Sequence, residues 1–427
     1  MSEPVRHFMT LATGWHGHGG HTVNRRLSQA LADIGYRVTA RVAIPVEAEP
    51  HPRLTVRGLD PIAGVNERDR LARDDRLPRD VDALIGHGRF TGVPALELRD
   101  RFYPRAQFVH VAHALTDELD RWRGDPDQAT RHARTERMLV SRADLAVGVG
   151  PLLTEEVKVL AQMSGRPVPV HEMIPGIELG TAPVWRSDPL RSNLLLFGRV
   201  DDPLKGAEIA GRAARELFDR GHPVQLTLLG AKPENLAEQE KKIWDATGFP
   251  VKVKPFTTDP EEIAAELRGA DVVLMPSRNE AFGLVAFEAI GHGIPVLVGS
   301  NSGAGVFLDK RVPDHLGKPS VVPMSGLERD LPERWANHVE RVIDDLPASR
   351  ARAMELREHA GERYTWNDAA QRLADRVEEL PRREPESAEL ARAAESLNRA
   401  HEATASRRER EPRQPEPERA PEPSPER

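Results

Sequence analysis

The sequence predicts an α/β protein of two domains, each built on a parallel sheet, followed by a charged tail. Three observations predict it. Short apolar runs recur along the chain, most of them ending at glycine, proline or histidine and leading into an amphipathic helical pattern, which is the repeating unit of a parallel sheet. The series restarts after the loop Pro183 to Pro189, so there are two sets of such units. Beyond Pro381 the composition shifts to Glu, Arg, Pro, Ala and Ser, and a segment such as EPRQPEPERAPEPSPER has too little apolar content to offset its ordering entropy.

In chain order, Phe8 to Ala12 is the first strand. It feeds the run Gly14-Trp15-His16-Gly17-His18-Gly19-Gly20-His21, then a helix through Leu27, Leu31 and Ile34, then a strand from Tyr36 to Ile44. Glycines at such a junction, Gly19 and Gly20 here, let the backbone approach a ligand closely while the helix start offers unbonded N–H groups. His16, His18 and His21 raise a metal alternative, but a glycine-rich loop without cysteine or carboxylate is a poor cage, so no metal is assigned. Arg53 to Gly58 is a strand and the charged stretch Asn66 to Pro78 a surface helix or loop. Val81 to Ile85 is a buried strand that delivers Gly86-His87-Gly88, and Ala106 to Val111 carries His110 and delivers His113 ahead of an amphipathic run. Ligands of open α/β sheets sit outside the carboxyl ends of strands, which is where His87 and His113 stand. Thr130 to Arg142 is arginine-rich: either a basic face for an anionic acceptor or membrane, or a solvated helix whose arginine stems cover the sheet. Asp144 to Val149 is a strand and Pro151 to Met163 a helix.

The second series opens with the strand Leu194 to Phe197 and the loop Gly198-Arg199-Val200 through Lys205-Gly206, before a helix from Ala207 to Leu217. A cation on each side of this loop makes a diphosphate clamp, Arg199 gripping phosphate as a fork and Lys205 adding a point charge. Strands Gln225 to Leu229 and Val251 to Lys254 flank a charged helix, Glu234 to Thr247, and the turn at Phe256 leads to a helix capped by Thr258 or Asp259. The plainest unit follows: strand Val272 to Met275, a loop with Glu280, a helix from Gly283 to His292 carrying Glu288, and strand Val296 to Val298. Free N–H groups of Phe282, Gly283 and Leu284 can hold an anionic or hydroxyl-rich ligand. Ser300 to Gly305 reads as another loop, and helices fill Leu331 to Tyr364.

Glu280 and Glu288, with seven residues between them and Phe-Gly-Leu after the first, resemble the signature of retaining GT-B glycosyltransferases, most closely family 4. The loop GR-V-x4-KG, the stretch VHVAHAL, the hinge-like Met173-Ile174-Pro175-Gly176-Ile177-Glu178 and the terminal Tyr364-Thr365-Trp366 are similar to further motifs of that family. The resemblance implies a GT-B fold, two Rossmann-like domains facing a central cleft. It puts an acceptor domain at 1–177, a nucleotide-sugar donor domain at 178–364, a helix crossing back at 365–380 and a disordered tail at 381–427. It makes Asp144 to Val149 the last strand of the first domain. It also implies roles: Gly19 and Gly20 at the phosphates, His113 and Glu280 at the donor sugar, Arg199 and Lys205 on the diphosphate, the turn at Phe256 beside the base, and Glu288 on the ribose. His113, Glu280, Arg199 and Lys205 are the candidate catalytic group.

Composition sets outer bounds. The 427 residues, 39% apolar, can build two ordinary cores, and a net charge of −7 gives no electrostatic reason to expect nucleic acid. Zero cysteines exclude disulfides, thiolate metal sites and cysteine nucleophiles together, and no apolar run approaches membrane-spanning length or a secretory signal. The expected location is the cytoplasm, with peripheral contact to the inner face of a membrane left open. The expected reaction is metal-independent transfer of a sugar, with retention, from a nucleotide-diphosphate sugar to a hydroxylated small molecule, lipid or glycan, with no further cofactor. Two alternatives stand beside it: a nucleotide-sugar binding protein without turnover, and an epimerase of the same fold, whose carboxylate acid/base pair is not evident in the first domain.

Overall fold

The computed structural model describes residues 6–17, 19–74, 76–114, 125–185, 191–381 and 383. His18, the amphipathic run expected after His113 and almost all of the expected tail lie outside them.

The first half comprises β1 (His7–Ala12), α1 (Gly19–Asp33), β2 (Arg37–Val42), β3 (Leu54–Gly58), α2 (Glu67–Leu71), β4 (Ala83–His87), α3 (Gly88–Phe102), β5 (Gln107–Ala112), α4 (Pro126–Arg142), β6 (Leu145–Val149), α5 (Gly150–Gln162) and β7 (Val170–Met173). Its strands form one parallel sheet in the order β3-β2-β1-β4-β5-β6-β7. The second half comprises β8 (Ser192–Phe197), α6 (Ala207–Asp219), β9 (Val224–Ala231), α7 (Leu236–Thr247), β10 (Val251–Pro255), α8 (Pro260–Gly269), β11 (Val272–Met275), α9 (Leu284–His292), β12 (Val296–Gly299), α10 (Gly303–Lys310), α11 (Asp314–Gly317), β13 (Val321–Val322), α12 (Leu331–Asp344), α13 (Leu346–Arg363) and α14 (Trp366–Glu378). Its sheet is also parallel, in the order β10-β9-β8-β11-β12-β13.

Central strands β1, β4, β5, β6, β11 and β12 are buried at every residue, as expected where helices cover both faces of a parallel sheet. Helices are amphipathic to match: α6 turns Ile209, Ala210, Ala213, Ala214 and Leu217 inward. Asp259 caps α8 by accepting from the N–H groups of Glu261 and Glu262.

Two expectations need correction. The strand ending at Val149 is not the last of the first sheet, because β7 pairs beside it with Ala146 opposite Val170. β7 is VHEM, an edge strand that is mostly half-buried, so it shows no apolar run. Ser300 to Gly305 is not all loop: Ser302 accepts from the Gly305 N–H and starts α10 at Gly303. The stretch between Gly305 and Leu331 also carries α11 and β13, which no sequence signal announced.

The halves pack on each other. On the second half's side, Phe282, Phe287, Phe307 and Tyr364 form a ladder of edge-on rings with centroids 4.7 to 4.9 Å apart. α14 returns to the first half, where the Tyr36 hydroxyl donates to Glu378 at 2.8 Å. The two chain crossings touch: the Ile177 N–H donates to the Tyr364 carbonyl at 2.7 Å, and a Cβ on Gly176 would lie 2.2 Å from the Trp366 nitrogen. Gly150, which opens α5 with φ +81°, brings its backbone against the second half, and a Cβ there would lie 2.3 Å from the Phe282 ring. Gly150→Ala is therefore expected to destabilise by roughly 1–3 kcal/mol through overpacking and the left-handed backbone. Thermal unfolding would reveal it, and an unchanged melting temperature would mean that the contact is not tight in solution.

Candidate active site

Strand order decides which loops meet. β8 and β11 are neighbours, so the Arg199–Lys205 loop after one lies beside the Glu280 loop after the other. Gly206 makes the approach feasible: it sits at φ +73°, and a Cβ there would lie 2.2 Å from the Pro276 carbonyl oxygen. The Arg278 N–H donates to the Leu204 carbonyl at 2.8 Å, fastening one loop to the other. Lys205 Nζ then reaches Glu280 Oε2 at 2.5 Å, and Ser277 Oγ donates to the same oxygen at 3.3 Å. Glu280 is held from behind as well, because its carbonyl accepts from the Gly303 N–H at the start of α10.

Arg199 stands on the rim of this pair. Its guanidinium is 59% exposed and donates to Asp202 at 3.2 Å, while the Lys205 stem passes beside Gly198. Phe256 is 46% exposed and follows edge strand β10, two places from β8, so it lies at the margin of the sheet and not beside Lys205. α9 begins at Leu284 after Gly283, which has φ +97°.

The first half supplies the facing wall. Gly19 opens α1, and a Cβ there would lie 3.4 Å from the Leu284 side chain, so the starts of α1 and α9 are brought together across the halves. Gly20 follows in the same first turn. β1, β4 and β5 are consecutive in the sheet, which puts His87 and His113 side by side, His87 Nδ1 lying 2.7 Å from His113 Nε2. Burial pushes His87 well below the ordinary histidine range, and the neighbouring His113, His110 and His21 act in the same direction. Behind them His110 Nε2 meets Glu136 at 2.8 Å. Burial pushes the Glu136 carboxyl up, but attraction to His110 and hydrogen bonds from His110 and the Arg89 N–H outweigh it, so the net shift is downward.

Glu288 is set apart from Glu280. Its Oε2 is sealed from solvent and has no hydrogen-bond partner among the described residues. Burial, with a smaller contribution from the Glu178 charge, pushes its carboxyl up to about 7. Glu178 in turn accepts from Arg26 of α1 at 2.5 Å, so the hinge residue joins the halves. Sequence reasoning gave no role to Ser277 or to the Arg26–Glu178 pair: Glu178 ends the hinge-like motif, but its partner Arg26 lies 152 residues away, and only the strand order and the chain crossing bring these groups to the site. Among the described residues, no group of three or more His, Asp or Glu side chains could hold a metal ion, and no helix is long and apolar enough to cross a membrane.

The arrangement brings together a lysine held on one carboxylate, an exposed arginine and two helix starts, which suits an anionic ligand bearing hydroxyl groups. The chain is 28% identical over 311 residues, covering 68% of this chain and 69% of the relative, to the D-inositol 3-phosphate glycosyltransferase of Corynebacterium diphtheriae. It is 30% identical over 325 residues, 70% of this chain and 72% of the relative, to D-inositol 3-phosphate glycosyltransferase 1 of Catenulispora acidiphila. In fold it is similar to sucrose-phosphate synthase from Thermosynechococcus elongatus, with TM-score 0.70, 21% identity and coverage of 88% of this chain and 99% of that one. Anabaena HepE in complex with UDP-glucose gives TM-score 0.63 at 17% identity, covering 88% and 100%. These structures share the GT-B fold. The model of the GT4-conflict family, family 4 glycosyltransferases in conflict systems, matches residues 9–373, and with the cleft so arranged the chain belongs to that family.

Proposed function

We propose that this glycosyltransferase moves a sugar from a nucleotide-diphosphate donor to a hydroxylated acceptor with retention at the anomeric carbon and without a metal. The observation that carries the reading is the Lys205–Glu280 contact at the adjoining ends of β8 and β11, opposite the glycine that opens α1. Breaking the bond to a diphosphate leaves negative charge on the departing oxygens while the sugar becomes oxocarbenium-like. An ammonium has three donors and Glu280 takes one, so Lys205 can serve phosphate oxygens without leaving the carboxylate. Arg199 adds a fork from the rim, and the N–H groups at the start of α9 add partial positive charge. Glu280, fixed by Lys205 and Ser277, contacts the donor sugar together with His113, and Glu288 accepts from ribose hydroxyls. UDP-glucose, held by HepE, is the first donor to test, and a polyol phosphate, named in the relatives' titles, the first acceptor.

A thermal-shift screen with UDP-glucose, GDP-mannose and ADP-glucose tests donor binding. A donor at 100 times its dissociation constant is expected to add about 2.7 kcal/mol of stability. The anomeric configuration of the product, read by NMR, tests retention. No shift with any of the three, or an inverted product, would overturn the corresponding part of the reading.

A further inference from the structure

The paired imidazoles at the ends of β4 and β5 carry an inference that rests on His113 facing the donor sugar. His87 Nδ1 and His113 Nε2 lie 2.7 Å apart, with ring centroids 5.0 Å apart and planes tilted by 34°. Two ring nitrogens at that separation share one hydrogen, one donating and the other accepting. Geometry alone does not say which. The other nitrogen of His87 does: Nε2 is sealed from solvent and has no hydrogen-bond partner among the described residues. A hydrogen placed there would leave a buried N–H with no acceptor, a fault native structures avoid more strictly than an unmet lone pair.

We infer that His87 is a positioning residue for His113: it keeps its hydrogen on Nδ1, donates it to His113 Nε2, and so fixes His113 in the tautomer that carries its own hydrogen on Nδ1. Free histidine prefers the opposite tautomer, with hydrogen on Nε2, so the lock reverses the ordinary preference. A ring nitrogen facing a sugar hydroxyl acts as donor or acceptor according to tautomer, and His87 settles the sense before the sugar arrives. The surroundings are consistent with this. His21 of α1 and His110 of β5 are the other titratable groups that act on His87. The Glu136 carboxylate of α4 is engaged by His110 and by the Arg89 N–H at the start of α3. Adding a second hydrogen to His113 would require His87 to move its own onto the sealed Nε2, so the pair resists protonation.

The test uses the full chain labelled with nitrogen-15 at histidine, followed by long-range proton–nitrogen correlation between about pH 5 and pH 8. His113→Gln assigns the signals. In the unmodified protein His113 is expected as the Nδ1–H tautomer throughout the range. In His87→Leu it should revert to Nε2–H. In His87→Asn, whose side-chain amide can donate from the place of Nδ1, the Nδ1–H form should return. An Nε2–H form in the unmodified protein, or no change in His87→Leu, overturns the inference. Turnover of UDP-glucose provides the second arm: His87→Leu should lower kcat roughly 100-fold with little change in KM, and His87→Asn should recover most of it. Unchanged turnover in His113→Gln would defeat the sugar-facing reading and leave the tautomer result intact, so the two failures are distinguishable.

Discussion

Lys205→Ala is expected to lower glycosyl transfer by about 10³-fold, with the larger part in kcat. The side chain meets Glu280 at 2.5 Å in a loop that Gly206 presses against Pro276, so its charge is already in place before the diphosphate leaves. A cation fixed in advance where negative charge accumulates stabilises the transition state more than the ground state. The substitution also strips Glu280 of its strongest partner while Ser277 remains. Circular dichroism and thermal unfolding would show whether the loss is catalytic, since a folded variant still shifted by donor has lost turnover and not structure. Lys205→Arg keeps the charge but replaces a compact ammonium with a wider fork, and is expected to recover only part of the rate. Transfer within tenfold of the parent in Lys205→Ala would remove the leaving-group role.

The second large effect is on stability. Glu288 ionises near 4.5 in the unfolded chain and near 7 in the folded one, because burial, aided by Glu178, disfavours its charged form. Between those values the unfolded chain has released the proton and the native protein retains it. The stability contribution is therefore full below about pH 4.5 and is lost as pH rises through 7, by about 3 kcal/mol in all. Glu288→Gln, neutral at every pH, should match the parent near pH 5 and exceed it in melting temperature near pH 8. Parallel curves for the two proteins would contradict a sealed carboxyl. Ribose hydroxyls donating to the carboxylate would favour its charged form, so nucleotide binding near neutral pH should release up to one proton. Calorimetry in buffers of different ionisation enthalpy would measure it.

The fold was legible because strands covered on both faces print themselves as apolar runs, unbroken in β11 and interrupted by a single polar residue inside β1 and β5. β7 escaped because an edge strand reading VHEM carries no such run. The start of α10 escaped because its glycines look like loop; they are there for close approach, a Cβ on Gly303 meeting the Ala281 carbonyl oxygen at 2.2 Å and one on Gly305 meeting that of Gly299 at 2.3 Å. Within the proposed site, Arg199, Lys205, Glu280 and Glu288 were singled out by local spacing and by resemblance to family motifs. Their partners were not: the Lys205–Glu280 and His87–His113 contacts depend on which strands lie side by side, and the sealed surroundings of Glu288 depend on the hinge residue Glu178.

The polypeptide passes between the halves twice, and the two passages are tied where Ile177 bonds to Tyr364 and Gly176 lies against Trp366. A single tether would let one lobe swivel on the other. Two cords knotted at one place confine any movement of one half against the other to a swing about the knot.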